Sequence, residues 1–143
     1  MRRRGLTLVE LLIWMSLIAI LVSLFVPSVA GWRDRLAVRR ARLEIMAFYH
    51  SARNSAIVRG TRVRLRFGAD SLVAVFEGVS DSVFLARPGP ARRGVSLTAS
   101  RSEIRIHPNG LGRAGANTKL VLRRGAAAES LTTSRLGRLR SWY

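Results

Sequence analysis

The first 32 residues, MRRRGLTLVELLIWMSLIAILVSLFVPSVAGW (1–32), set a basic start against a long apolar run with a carboxylate near its beginning. From Leu6 to Val26 polar residues are few, and Glu10 is the only charged one. At about 1.5 Å per residue this run is long enough as a helix to cover a hydrocarbon core of roughly 30 Å. About a dozen Leu, Ile, Val and Phe side chains each favour insertion by roughly 0.3–0.6 kcal/mol, while a central carboxylate costs roughly 2.5–3.5 kcal/mol. The sum predicts a transmembrane helix over 6–30 despite Glu10. Arg2, Arg3 and Arg4 precede the run and by the positive-inside bias keep the N-terminus cytoplasmic. Arg33, Arg35, Arg39 and Arg40 argue the other way, but export of a long C-terminal segment tolerates charge. A cleaved secretory signal is the alternative, with small residues at Ser28 and Ala30 suited to a signal peptidase. The length of the apolar stretch and the presence of Glu10 count against it.

Length and composition bound the remainder. The chain of 143 residues carries a formal net charge of +17, and Lys119 is its only lysine, so arginine supplies almost all of the positive charge. Such a surface attracts polyanions, either nucleic acid or anionic headgroups. Without the apolar segment, about 110 residues remain, enough for one modest core. There is no cysteine, which removes disulfides, thiol chemistry and cysteine-based metal sites.

Between Trp32 and Gly60 the apolar residues Val38, Ala41, Ile45, Phe48, Ala52 and Ala56 recur at i, i+3 and i+4. This spacing predicts an amphipathic helix over 31–60 that continues the first segment, with Gly60 as its stop. Beyond Gly60 the period becomes two. TRVRLRF (61–67) puts Val63, Leu65 and Phe67 on one side of a strand and Arg62, Arg64 and Arg66 on the other. Further strands are predicted at SLVAVFE, SVFLA, VSLTA, EIRIH, KLVLR and ESLTTSR, with turns at FGAD, RPGPARRG and HPNG. The expected fold class is α+β: a long N-terminal helix, half transmembrane and half amphipathic, packed on an antiparallel sheet that forms a β-rich head over 61–143.

RRRG followed by LTLVELL resembles the processing site of type IV prepilins and type II secretion pseudopilins, in which a short basic leader ends in glycine and glutamate is the fifth residue after it. The resemblance implies that residues 1–5 are a leader, that a prepilin peptidase cuts between Gly5 and Leu6, and that the new N-terminus at Leu6 is methylated. The family usually has phenylalanine where this chain has Leu6. It further implies that Glu10 pairs with the free Leu6 amine of a neighbouring subunit during assembly. Pro27 is similar to the proline of pilin-like helices, where loss of a backbone donor permits a kink. SARNSAIVRGTRVRL, IRIHPNGLGRAG and SRLGRLR are similar to the GspH/FimT group within this superfamily. The chain lacks the cysteines common in the C-terminal part of FimT-type members, so the choice between the two types stays open. The implied partners are other pilins or pseudopilins, the prepilin peptidase and the inner membrane. The implied location is the bacterial inner membrane, single-pass, with the head outside the cytoplasm.

Catalytic patterns are lacking. His50 and His107 have no acidic companion at catalytic or metal-ligand spacing, no glycine-rich phosphate loop follows a strand, and Asp81 alone is a meagre basis for calcium. No cofactor or metal is implied. DNA is the second partner to consider. In SRLGRLRSWY (134–143), Arg138 and Arg140 share one side of an expected strand, Arg135 lies nearby, and Trp142 and Tyr143 are suited to stacking on bases. GRLR (137–140) resembles the Gly-Arg-x-Arg element through which FimT-like minor pilins are thought to contact DNA during uptake.

Overall fold

The computed structural model of the chain describes residues 7–78, 81–113 and 117–142, without the side chains of 24–28. Helix α1 (Leu8–Arg59) leads into β1 (Val63–Phe67), β2 (Ser71–Phe76), β3 (Ser82–Pro88) and a 3-10 turn (Pro90–Arg93). Then come β4 (Ser96–Ala99), β5 (Glu103–Ile106), β6 (Gly112–Arg113), β7 (Lys119–Arg124), β8 (Ala127–Thr133) and β9 (Leu139–Trp142). The chain divides into two compact units, Met1–Arg33 and Asp34–Tyr143, with the division inside α1.

In the first unit α1 begins behind Thr7, whose hydroxyl accepts the backbone N–H of Glu10 at 3.3 Å and whose carbonyl accepts that of Leu11 at 3.1 Å. Thr7 is thus an N-cap, and Glu10 stands three residues later, where the helix dipole favours a carboxylate. Ser16 and Ser23 return their hydroxyls to the carbonyls of Leu12 and Ile20. The large apolar side chains from Leu8 to Val22 are about half exposed or more.

Two expectations are corrected here. Among the described residues no helix is long and apolar enough to cross a membrane. Glu10 lies within the described part of the apolar run, where a carboxylate opposes burial in hydrocarbon. The transmembrane half of the expected fold class is therefore withdrawn, and with it the single-pass inner-membrane location. The single sheet is also replaced by two antiparallel sheets, ordered β3-β2-β1-β5-β6 and β4-β7-β8-β9.

In the second unit both sheets close on one face of α1. Val38, Ala41, Ile45, Phe48, Tyr49, Ala52 and Ala56 are buried, joined from one sheet by Val63, Leu65, Leu72, Ile104 and Ile106 and from the other by Leu120, Leu122 and Leu131. Each large side chain in this cluster contributes roughly 1.5–3 kcal/mol by leaving water. Phe48 meets Phe67 edge to face, with centroids 5.9 Å apart. Gly60 ends the helix at φ +60°, and the Thr61 N–H closes back on the Ala56 carbonyl at 3.2 Å in a Schellman arrangement. Ion pairs tie α1 to the strands and to the 3-10 turn: Asp34 to Arg124, Glu44 to Arg93 and Arg42 to Glu129. The hydrogen bond from Arg93 holds the Glu44 carboxyl below its ordinary value, against partial burial and with help from the charges of Arg93 and Arg92. Its stabilisation is present at neutral pH and is lost as acid takes the pH down through that lowered value.

Tyr49 is fully buried, and its hydroxyl has no hydrogen-bond partner among the described residues. Burial pushes the phenol above its ordinary value, with the charge of Arg53 opposing. The folded state then keeps a proton that the unfolded state releases, so stability is full below about pH 10 and falls as pH rises past it. Tyr49→Phe removes an unsatisfied buried donor and should stabilise the protein by about 1 kcal/mol at neutral pH. The advantage should widen at pH 11. Thermal unfolding of both proteins at the two pH values checks this, and a less stable Phe variant would mean that the hydroxyl has a partner.

Candidate functional site

The closing turn between β8 and β9 carries Arg135 and Arg138, and Arg140 follows on β9. The Ser134 N–H donates to the Arg138 carbonyl at 2.9 Å, the Gly137 N–H to the Ser134 carbonyl at 3.0 Å, and the Arg138 N–H to the Ser134 hydroxyl at 3.2 Å. Gly137 has φ +69°, and a Cβ there would lie 2.1 Å from the Gly110 carbonyl oxygen and 2.9 Å from Arg53 Nε. Arg53 Nε donates to that same Gly110 oxygen at 2.9 Å, and the Gly112 N–H donates to the Arg135 carbonyl at 3.0 Å. The turn is therefore clamped against the β5–β6 turn and the last part of α1. Gly137 serves this packing, while Arg135, Arg138 and Arg140 are exposed.

Register places Arg140 across from Thr132, which pairs in turn with Lys119, and Trp142 across from Ser130, which pairs with Val121. Leu120, Leu122 and Leu131 point to the core, so Lys119, Arg123, Arg140 and Trp142 share the outer face of the second sheet with several hydroxyls. Among the described residues no carboxylate pairs with these cations, and Glu129 on β8 turns inward to Arg42 at 3.1 Å. Lys119 and Arg123 escaped sequence reasoning, because their common face depends on a strand register that only the fold supplies.

The basic face expected on β1 is largely neutralised. Arg64 meets Glu77 at 2.9 Å and Asp81 at 3.1 Å, and Arg66 meets Glu103 at 2.8 Å across the β1–β5 pairing. His50 is exposed on α1; His107 accepts from Arg113 at 3.3 Å. Gly5 and Leu6 lie outside the described residues, as do Tyr143 and the side chain of Pro27. Glu10 is exposed in the first turn of α1, and among the described residues it forms no ion pair. No group of three or more metal-ligating side chains comes together among those residues.

The family model described as type II transport protein GspH matches residues 41–137, and that of the prokaryotic N-terminal methylation motif matches residues 1–26. No curated protein matches the sequence. Two crystal structures of the type IV minor pilin FimU of Pseudomonas aeruginosa, in space groups P21 and P65, resemble this chain at 14% identity with TM-scores of 0.63 and 0.61. The matches cover 74% and 73% of this chain and 88% and 92% of theirs. At that identity the likeness is one of fold.

Gly137→Ala must place a Cβ against the Gly110 carbonyl at a positive φ. It should cost at least about 2 kcal/mol. Gly78→Ala, with nothing within 4 Å of its Cβ, should stay within about 0.5 kcal/mol of the parent. Paired thermal melts of the two variants measure the difference.

Proposed function

We propose that this chain, which belongs to the GspH family of type II transport proteins, works by assembly as a minor pilin or pseudopilin in a secretion pseudopilus or type IV pilus. The chain's superfamily, that of the pilins and pseudopilins, serves secretion and pilus assembly, and the proposal concerns its place in a particular filament. The observation that supports it is the exposed apolar surface from Leu8 to Val22 with Glu10 in its first turn. A continuous apolar surface of that size is one that other molecules cover, here the helices of neighbouring subunits.

In this reading residues 1–5 are a leader, a prepilin peptidase cuts between Gly5 and Leu6, and Leu6 is methylated. The match to the N-terminal methylation motif supports it. The cut leaves a free amine one residue before the Thr7 cap. Once a neighbour covers the apolar surface, the Glu10 carboxylate is removed from water and needs a partner, which the Leu6 amine of the adjacent subunit supplies. Pro27 would adjust the helix where subunits pack. The protein made with its peptidase should by intact mass lack Met1–Gly5 and carry one added methyl. A mature start at Gly31 would establish secretory cleavage instead. Glu10→Val should be cut normally yet enter filaments roughly tenfold less, the scale of about 1.4 kcal/mol lost at a contact. Normal incorporation would remove the pairing account.

A second reading is supported by the carboxylate-free outer face of the second sheet: binding of double-stranded DNA through Arg135, Arg138 and Arg140, with Trp142 beside them. The affinity should fall with salt by a log–log slope of roughly −0.9 per phosphate neutralised. Arg138→Gln with Arg140→Gln should weaken binding far more than Arg39→Gln with Arg40→Gln, an exposed pair on α1 that removes equal charge. Equal losses in a filter-binding series would mean diffuse attraction, and the DNA reading would fall.

A further inference from the structure

The outer face of the first sheet holds an arrangement separate from the apolar N-terminal run on which the proposed assembly rests. Register sets Arg64 opposite Arg105 and Arg105 opposite Arg113, so three arginines stand side by side across β1, β5 and β6. Like charges in directly opposed positions destabilise a sheet. One step along the same strands, Arg62 falls across from His107 by continuation of the Val63–Ile106 pairing. Glu77 is the carboxylate set among them, held by its N–H to the Arg62 carbonyl at 2.9 Å. Its Oε1 accepts a hydrogen bond from Arg64 Nε at 2.9 Å and forms an ion pair with Arg105 Nε at 3.1 Å.

Arg62, Glu77, Arg105, Ile106, His107 and Arg113 line a cleft of about 280 Å³. Three guanidinium groups and an imidazole therefore converge on a space in which one carboxylate is already shared between two arginines. Arg62 and Arg113 have no carboxylate partner among the described residues; Arg113 instead donates to His107 Nε2 at 3.3 Å. The cleft has an excess of donors and room for an oxyanion, and arginine forks match the spacing of phosphate oxygens. Glu77 adds selectivity. With both arginines on Oε1, its Oε2 is left to accept a proton, and a bare oxyanion brought near it meets only repulsion.

We propose that this cleft binds a protonated phosphate group, inorganic or the head of a monoester. Arg62, Arg105 and Arg113 take the charged oxygens, and Glu77 accepts the P–OH. Sulfate, which has the same shape and no proton near neutral pH, is rejected by the same carboxylate.

The test uses the full chain, with the ring resonances of its two histidines followed by NMR at constant ionic strength. His107 lines the cleft, and His50, exposed on α1, is the internal reference. Inorganic phosphate should shift His107 saturably and leave His50 nearly unmoved, with sulfate binding at least tenfold more weakly. Arg62→Gln with Arg113→Gln should weaken phosphate binding by tenfold or more, whereas Arg39→Gln with Arg40→Gln should leave it unchanged. Glycerol 3-phosphate in place of inorganic phosphate tells an ester ligand from the free ion, and binding of either supports the site. Sulfate binding equal to phosphate would overturn the proposal, as would equal losses in the two double variants. A duplex without terminal phosphates that shifts His107 when neither small phosphate does would also overturn it, in favour of a polyanion surface. Should the Arg62 and Arg113 variant fail to fold, the phosphate and sulfate comparison on the parent protein decides alone.

Discussion

Two sheets can share one face of a helix only if their backbones come close to it. Ala41, Ala52 and Ala56, each buried on the inner face of α1, permit that approach. Ile45, Phe48 and Tyr49 fill the space between the layers. The other features of this unit are consequences of that contact. Leu65 and Ile104 are buried because β1 and β5 lie over the helix, Leu122 and Leu131 because β7 and β8 do. Larger side chains at the alanines would prise one sheet away and expose the core of the other, since close-packed interiors do not absorb added volume.

The second governing fact is the scarcity of acid. The chain has eight acidic residues for 25 basic ones, and among the described residues six of the eight are engaged in ion pairs. Asp34, Glu44 and Glu129 join α1 to distant parts of the chain, while Glu77, Asp81 and Glu103 quiet the arginines of β1 and β5. The surplus positive charge is consequently uneven. Part of it lies on the outer face of the second sheet and in the cleft beside β6, where acids are lacking or already shared, and part on α1 at Arg39 and Arg40.

Much of this fold could be read from the chain. The period of Val38, Ala41, Ile45, Phe48, Ala52 and Ala56 identified the buried helix face, and the alternation in TRVRLRF identified the inner and outer sides of β1. That reading left out Tyr49 and Arg42, whose types suggest surface although both are buried at the margin of the same stripe. The division into two sheets was not legible, because strand pairing is decided by contacts distant in sequence. Nor was β6, which has only two residues. Arg64 and Arg66 looked free because their acids, Glu77 and Glu103, lie 13 and 37 positions away. Among the candidate site residues Arg138 and Arg140 are exposed, Arg138 in the turn ahead of β9 rather than on the expected strand, and the packing duty of Gly137 and the neighbours Lys119 and Arg123 required the register. The apolar run at the start was legible as an apolar run, but among the described residues no helix is long and apolar enough to cross a membrane.

Lys119 deserves a last consideration as the chain's only lysine. It is exposed on the outer face of the second sheet, in register with Thr132 and, beyond it, Arg140. Guanidinium groups do not react with ordinary amine-directed reagents, so acylation of this highly basic protein would reach one side chain and the N-terminal amine. A dye or cross-linker attached there would report from a single known point on the sheet.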